Sequence, residues 1–357
     1  MRESTYGRGT TPAGALGSRP RRARGLAGLI PGAAHPAGTA AIGWIDNPDV
    51  MLSRSDVQTA AGRIAGRVRR TPLWRPSARD AVWFKCEFLQ HCGVFKTRGA
   101  FNRQLAGLES GEIGDAGVVV ASGGNAGLAQ AFAARDLGVR ATVFVPQTAP
   151  DVKVERIRAY GADVRRVGSE YAEAYEAAVL FGEQTGAAFA HAYDQLEVAA
   201  GAGTLAEEIL DDETSIDTII VAVGGGGLYA GVAAAVLGRA RVVAVEPERC
   251  PTLSRAMDAG RPVDVAVSGV ASDSLGARRL GDLAFAAQEK APPTSVLVTE
   301  DEILHARSTL WREYRVPSET GAATAYAALL SGRYVPQEGE RVAVVVCGAN
   351  TDPATLV

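Results

Sequence analysis

Lysine is scarce in this chain of 357 residues: it occurs only at Lys85, Lys96, Lys153 and Lys290, although arginine is plentiful. Lys96 stands in FKCEFLQHCGVFKTRGAF (84–101), behind Gly93-Val94-Phe95 and ahead of Thr97-Arg98-Gly99-Ala100. A single lysine is ordinarily a solvated surface charge. Here the neighbours are largely apolar or glycine. A neutral lysine amine attacks an aldehyde, and partial burial favours that form by lowering its pKa. Lys96 is therefore the candidate nucleophile.

Three further segments carry candidate chemistry. Gly224, Gly225, Gly226 and Gly227 follow the apolar run DTIIVAV and precede LYAGVAAAVLG. Such a strand–glycine–helix junction points backbone N–H groups at an anion, with the helix dipole adding to the attraction. Phosphate is the natural ligand; the bland reading is a tight turn needing positive φ. No Gly-Lys-Ser/Thr follows, so this is not a P-loop. A dinucleotide reading stays open at this point. Gly225-x-Gly227-x-x-Ala230 fits the relaxed glycine pattern, and Glu246 sits where a ribose-binding acid of an NAD-dependent oxidoreductase would. Ser122-Gly123-Gly124-Asn125 is a second such junction, offering N–H groups to a substrate carboxylate and an amide to orient a ring hydroxyl. Alone it is a good turn plus a helix N-cap. The run Val344–Asn350 ends a strand at Cys347, where a buried structural cysteine is the usual reading.

These segments need a frame of elements to bring them together. From about residue 80, strands and helices alternate. Strands are expected at 117–121, 141–145, 162–167, 187–190, 217–223, 242–245, 295–298 and 342–346. Helices are expected after Asn125 and over 151–160, 170–184, 198–210 and 228–237. Thr299 with Glu302 makes a capping box that opens a helix toward Trp311. Continuous apolar strands between helices indicate parallel sheets covered on both faces, and the number of units implies two. MLSRSDVQTAAGRIAGRV, from Met51, reads as an amphipathic helix. Residues 1–50, rich in Gly, Ala, Pro and Arg, read as a disordered extension.

Composition narrows the classes. At 47% hydrophobic, the chain can bury a large core. A net charge of −3 gives no general reason to bind nucleic acid or an anionic membrane. No stretch nears the roughly 20 apolar residues of a membrane span. Cys86, Cys92, Cys250 and Cys347 form no CxxC pair, which fits reduced thiols in the cytoplasm. The four histidines lie far apart, without zinc spacing.

Taken in order, these motifs resemble the fold-type II pyridoxal 5′-phosphate (PLP) enzymes, and most closely the serine/threonine dehydratase and serine racemase family. The likeness runs over about residues 53–353. Thr71-Pro72-Leu73, VPQTAPDVKVERIRAYGA (145–162), GAGT (201–204) and SETGAA (318–323) support it. The resemblance implies two open parallel-sheet α/β domains with the cofactor in the cleft between them. The large domain would span 51–115 and 196–357, the small one 116–195. It further implies that Lys96 holds PLP as a Schiff base and that Phe95 packs near the ring. Asn125 would bind the ring hydroxyl, Gly224, Gly225, Gly226 and Gly227 the phosphate, and Cys347 would face the pyridine nitrogen. Ser122, Gly123, Asn125 and Ala126 would contact substrate.

The implied activity is β-elimination, converting L-threonine or L-serine to a 2-keto acid and ammonia. A neutral partner at the pyridine nitrogen, Cys347, favours elimination over transamination. A serine racemase and a 3-hydroxyaspartate ammonia-lyase are the alternatives within the family. The chain departs from the pattern at three places: Val94 replaces a serine, Ala126 a histidine, and Gly123 the second acid/base serine of racemases. Glu246 matches one ligand of the family's divalent-cation site, but Thr252 stands where a second carboxylate is expected, so no metal is assigned. The resemblance also implies a homodimer. With the chain ending at Val357, no C-terminal regulatory domain and no feedback by isoleucine are expected.

Overall fold

A computed structural model describes residues 51–78 and 81–356. The extension expected over 1–50 lies outside the described residues. Two sheets organise the chain.

The chain begins with α1 (Arg54–Ile64), capped by Ser53 and Asp56 in a reciprocal box, then β1 (Leu73–Trp74), β2 (Val82–Lys85) and α2 (Lys96–Ser110). Next come β3 (Val118–Ala121), α3 (Asn125–Leu137), β4 (Ala141–Val145), α4 (Asp151–Arg158), β5 (Asp163–Arg166), α5 (Tyr171–Thr185) and β6 (Ala188–Phe189). After α6 (Leu196–Asp212) follow β7 (Thr218–Ala222), α7 (Gly227–Val236), β8 (Arg241–Pro247), α8 (Thr252–Ala259), α9 (Ser272–Leu275) and α10 (Asp282–Lys290). The chain closes with β9 (Thr294–Val298), α11 (Glu300–Tyr314), α12 (Thr320–Leu330) and β10 (Val342–Val345).

One sheet has the order β1-β2-β10-β7-β8-β9, parallel except for β1 against β2; the other is β5-β4-β3-β6, all parallel. This is an α/β fold with helices covering continuous apolar strands. All five residues of β7 and all four of β3 and β10 are buried.

The strand order locates the site. In the larger sheet the chain runs from β7 outward to β8 and β9, then returns to place β10 on the other side of β7. In the smaller, it runs from β3 to β4 and β5, then returns to place β6 beside β3. Each reversal opens a crevice at the carboxyl ends of the two strands that flank it, where ligands bind in open α/β sheets. The segments leaving those ends are Gly224–Gly227 after β7, Cys347 after β10, Ser122–Asn125 after β3 and His191–Tyr193 after β6.

Small residues fix how the helices carry these segments. A Cβ on Gly99 in α2 would sit 2.6 Å from the Val198 carbonyl oxygen, and one on Gly201 in α6 would sit 2.6 Å from that of Arg98. A Cβ on Gly231 in α7 would come within 2.2 Å of the Ala199 oxygen. The backbones of α2, α6 and α7 therefore touch. This is the physical content of the GAGT motif, and it sets Lys96 and Gly227 at fixed positions on one support.

Beneath α2 lies a buried charge network. Arg98 is 0% exposed and donates to both oxygens of Glu87 (2.9 and 2.8 Å) and of Glu208 (2.7 and 2.8 Å). Lys85, also 0% exposed, donates to Glu208 at 2.5 Å and to the Thr71 carbonyl at 2.8 Å. Removing one member leaves its partners charged and dry. Arg98→Met should destabilise the protein by about 3–5 kcal/mol. A urea unfolding midpoint equal to that of the unaltered protein would contradict this.

Candidate active site

Lys96 opens α2, and the chain just ahead of it is stitched to the end of β10. Phe95 N donates to the Cys347 carbonyl at 3.0 Å, Ala349 N donates to the Gly93 carbonyl at 2.9 Å, and Val94 pairs with Gly348 in an antiparallel bridge. The expected nucleophile and the expected ring partner thus share one backbone pairing. Lys96 is partly buried, and Nζ donates to the Ala192 carbonyl at 2.9 Å, from the loop after β6. Desolvation lowers its pKa to about 8, opposed by the fields of Cys347 and Glu319. Burial drives the Cys347 thiol well above its usual range, so it is a neutral group. Lys85, the other lysine of this segment, has its amine committed to Glu208 and Thr71 in the core.

The loop that offers Ala192 is shaped by His191. Its Nδ1 accepts from Tyr193 N (3.2 Å) and Asp194 N (2.7 Å). Burial, with Lys96 adding to it, holds the imidazole down at about 3, so His191 is neutral. Asp194 in turn accepts from Asp282 N and Leu283 N at the start of α10.

Asn125 begins α3 in the smaller sheet and reaches two residues of the other. Its Nδ2 donates to both oxygens of Glu319 (2.9 and 3.1 Å), and its Oδ1 accepts from Asn350 Nδ2 at 2.8 Å. Asn350 also accepts from Arg156 of α4 at 2.6 Å. Burial pushes the Glu319 carboxyl up to about 7, against the Asn125 bond. Glu319, Asn350 and Arg156 received no role from sequence. SETGAA and the end of the Cys347 strand were visible as motifs, but contacts across 194 residues leave no local signal.

Ser122 Oγ accepts from Gly124 N at 3.3 Å, so it shapes the turn, and Ala126 is buried in the first turn of α3. Gly123 and Gly124 line a groove with Asn125, Lys153, Arg156, Asp273 and Asn350, of about 30 Å³. Lys153 of α4 is paired with Asp273 of α9 across its mouth.

The tetraglycine turn lies beside Lys96: Phe95, Lys96, Tyr193 and Gly227 line one small cavity of about 10 Å³. Packing alone already requires glycine here. A Cβ on Gly225 would meet the Tyr193 ring at 2.4 Å, and Gly226 has φ +92° with the Ala284 Cβ equally close. Glycine identity is thus no proof of phosphate binding. The stronger observation concerns donors. Among the described residues, no backbone or side-chain acceptor pairs with the N–H groups of Gly224, Gly225 or Gly226. Such donors, buried at Gly224 and Gly226 and half-buried at Gly225, want an anion. The residues present therefore fit a phosphorylated aldehyde: an amine poised as nucleophile, a row of donors for phosphate, and a neutral thiol nearby.

The dinucleotide reading fails on Glu246. It is 0% exposed, and its oxygens accept from Leu253 N (2.7 Å) and Ser254 N (2.9 Å) at the start of α8 and contact the Thr252 hydroxyl. It is thus a helix cap, unable to reach a ribose. Among the described residues, no group of three or more His, Cys, Asp or Glu is arranged to hold a metal. All four cysteines are free thiols, and no described helix is long and apolar enough to cross a membrane.

Comparison with known proteins agrees with this geometry. Residues 64–348 match the family described as pyridoxal-phosphate dependent enzyme. The chain is 36% identical over 310 residues to an L-threonine ammonia-lyase of Thermotoga maritima, covering 85% of this chain and 76% of that protein. It is 35% identical to a phenylserine dehydratase of Ralstonia pickettii, covering 84% and 95%. The solved structure of maize serine racemase superposes with a TM-score of 0.80 at 30% identity, covering 86% and 96%.

Proposed function

The chain belongs to the pyridoxal-phosphate dependent enzyme family, and from that premise we propose that it is an ammonia-lyase acting on L-threonine or L-serine. The observation that supports this is Lys96 beside the tetraglycine turn, whose Gly224, Gly225 and Gly226 N–H groups have no acceptor among the described residues. Bound PLP supplies an electron sink that acidifies the α-hydrogen of the amino acid joined to it. Lys96 then serves as the base for that hydrogen. The tetraglycine N–H groups hold the phosphate, and Phe95 packs beside the ring. Asn125, clamped between Glu319 and Asn350, presents its amide to the ring hydroxyl. The turn Ser122–Ala126, at the start of α3, receives the substrate carboxylate. The β-hydroxyl would leave as water with the proton that Lys96 had taken, and hydrolysis of the remainder would yield the 2-keto acid and ammonia. The two sheets with their helices are taken as the two domains, 51–115 with 196–357 and 116–195.

The test is direct. The purified protein should be yellow and should release 2-oxobutanoate from L-threonine or pyruvate from L-serine. A colourless protein, or no keto acid from either, would overturn the assignment. A second reading draws on Arg156 and Lys153 at the groove: an acidic hydroxy-amino acid such as 3-hydroxyaspartate. Preference for that substrate in the same assay, lost in Arg156→Ala, would favour it. We also take the enzyme to be a cytoplasmic homodimer; a monomeric mass by light scattering would refute the dimer.

Cys347 is assigned to the ring nitrogen as a neutral partner, not as a nucleophile. Cys347→Ser keeps a small neutral group and should lower activity by far less than the about 10²–10⁴-fold of a lost acid or base. A loss that large, measured as kcat, would contradict the role.

A further inference from the structure

Thr252 is fully buried at the start of α8, and its hydroxyl faces two acceptors. It lies 2.5 Å from the Gly224 carbonyl oxygen and 3.1 Å from Glu246 Oε1. A hydroxyl has one proton to give. The Gly224 oxygen is the nearer acceptor, and both oxygens of Glu246 already accept from Leu253 N and Ser254 N. The Thr252 proton therefore goes to Gly224.

The direction of that bond matters because a trans peptide points its C=O and the following N–H in opposite directions. Drawing the Gly224 oxygen toward α8 turns the N–H of Gly225 the other way. The next peptide is held likewise: Gly281 N donates to the Gly225 oxygen at 3.0 Å, which turns the N–H of Gly226 away from α10. Four consecutive glycines have no side chains to limit rotation, so without such ties the donors would not share a direction.

We infer that Thr252 is a positioning residue for the cofactor: its hydroxyl locks the Gly224–Gly225 peptide so that Gly225 N–H faces the phosphate. The inference rests on the tetraglycine turn being the phosphate site.

The experiment is a PLP titration of cofactor-free protein, followed by absorbance, on Thr252→Val, Thr252→Ser and Gly226→Ala. Phosphorus NMR of the reconstituted forms reports how firmly the phosphate is held. Thr252→Val keeps the shape without the hydroxyl and should raise the dissociation constant about tenfold, the scale of one buried hydrogen bond. It should also shift the phosphorus resonance. Thr252→Ser should restore both. Equal weakening in the serine and valine variants would overturn the role of the hydroxyl. If Gly226→Ala loses affinity and Thr252→Val does not, the inference fails and the phosphate site stands. If neither changes affinity, the phosphate site itself is wrong. Thermal melting of the cofactor-free forms checks folding. Should Thr252→Val not fold, Thr252→Ala takes its place, and failure of both makes the hydroxyl a requirement of the fold, which overturns the inference.

Discussion

Lys96→Ala is expected to abolish turnover, by more than about 10⁴-fold, while the protein remains folded. The scale follows from losing a base and a nucleophile at once. Folding should survive because Lys96 lies at the start of α2 and its amine makes, among the described residues, one hydrogen bond, to the Ala192 carbonyl, besides its contact with the Phe95 ring. Arg98, one half-turn on, is the opposite case: it is locked into four carboxylate bonds, and its loss strikes the fold. Borohydride reduction of the coloured protein should fix a cofactor label on Lys96. A label on Lys85 would overturn the assignment, and Lys85 is poorly placed to take one, its amine being bound to Glu208 and Thr71. The pH dependence has a definite sign. The neutral amine attacks the aldehyde, and desolvation lowers the Lys96 pKa to about 8. Below that pH the rate of cofactor uptake by cofactor-free protein should rise about tenfold per unit, and above it the rate should level off. Uptake that climbs without a break to the ordinary lysine range would show that the amine is not buried in this way.

Much of the frame can be read from the sequence because the central strands are apolar throughout. Residues 217–223 and 342–346 announce buried parallel strands, and the glycine or polar segments that follow them announce sites. The parts that escape reading have physical reasons. β1 is two residues long, and β2 is a four-residue strand that ends on a buried lysine, Lys85, so its apolar run is cut short. α2 escapes because its buried face carries Arg98, Asn102, Arg103 and Gln104, polar residues satisfied by partners far along the chain, so no apolar stripe marks it. β8 runs longer than its apolar centre, from Arg241 to Pro247, because ladder bonds to β7 and β9 hold its ends. The order of strands is not written in the spacing at all. Yet that order puts Ala192 beside Lys96 and brings Asn125 to Glu319 and Asn350. Glu246 shows the reverse failure. Its spacing from the glycine run suits a ribose-binding acid, but tertiary packing makes it the cap of α8.

With L-serine or L-threonine, keto acid should exceed D-amino acid by about 10²–10⁴-fold, the ratio set by Gly123. Racemisation needs a proton donor on the face opposite Lys96, and a positioned acid/base group contributes about that factor to a proton transfer. Gly123 has no side chain to give. The site leaves room for the missing group. A Cβ on Gly123 would meet Val145 Cγ1 at 3.4 Å and Ala149 Cβ at 3.8 Å, ordinary contacts, and its φ does not lie in the left-handed region. Gly123→Ser should therefore fold and should raise D-serine formation from L-serine severalfold or more without restoring the balance of a racemase. The measurement is D-serine by chiral chromatography alongside pyruvate in the same incubation. Abundant D-serine with little pyruvate from the unaltered protein would make it a racemase, and would require the second proton to come from somewhere other than position 123. Equal D-serine from both proteins would remove Gly123 from the account of specificity and leave elimination to rest on the neutral Cys347 alone.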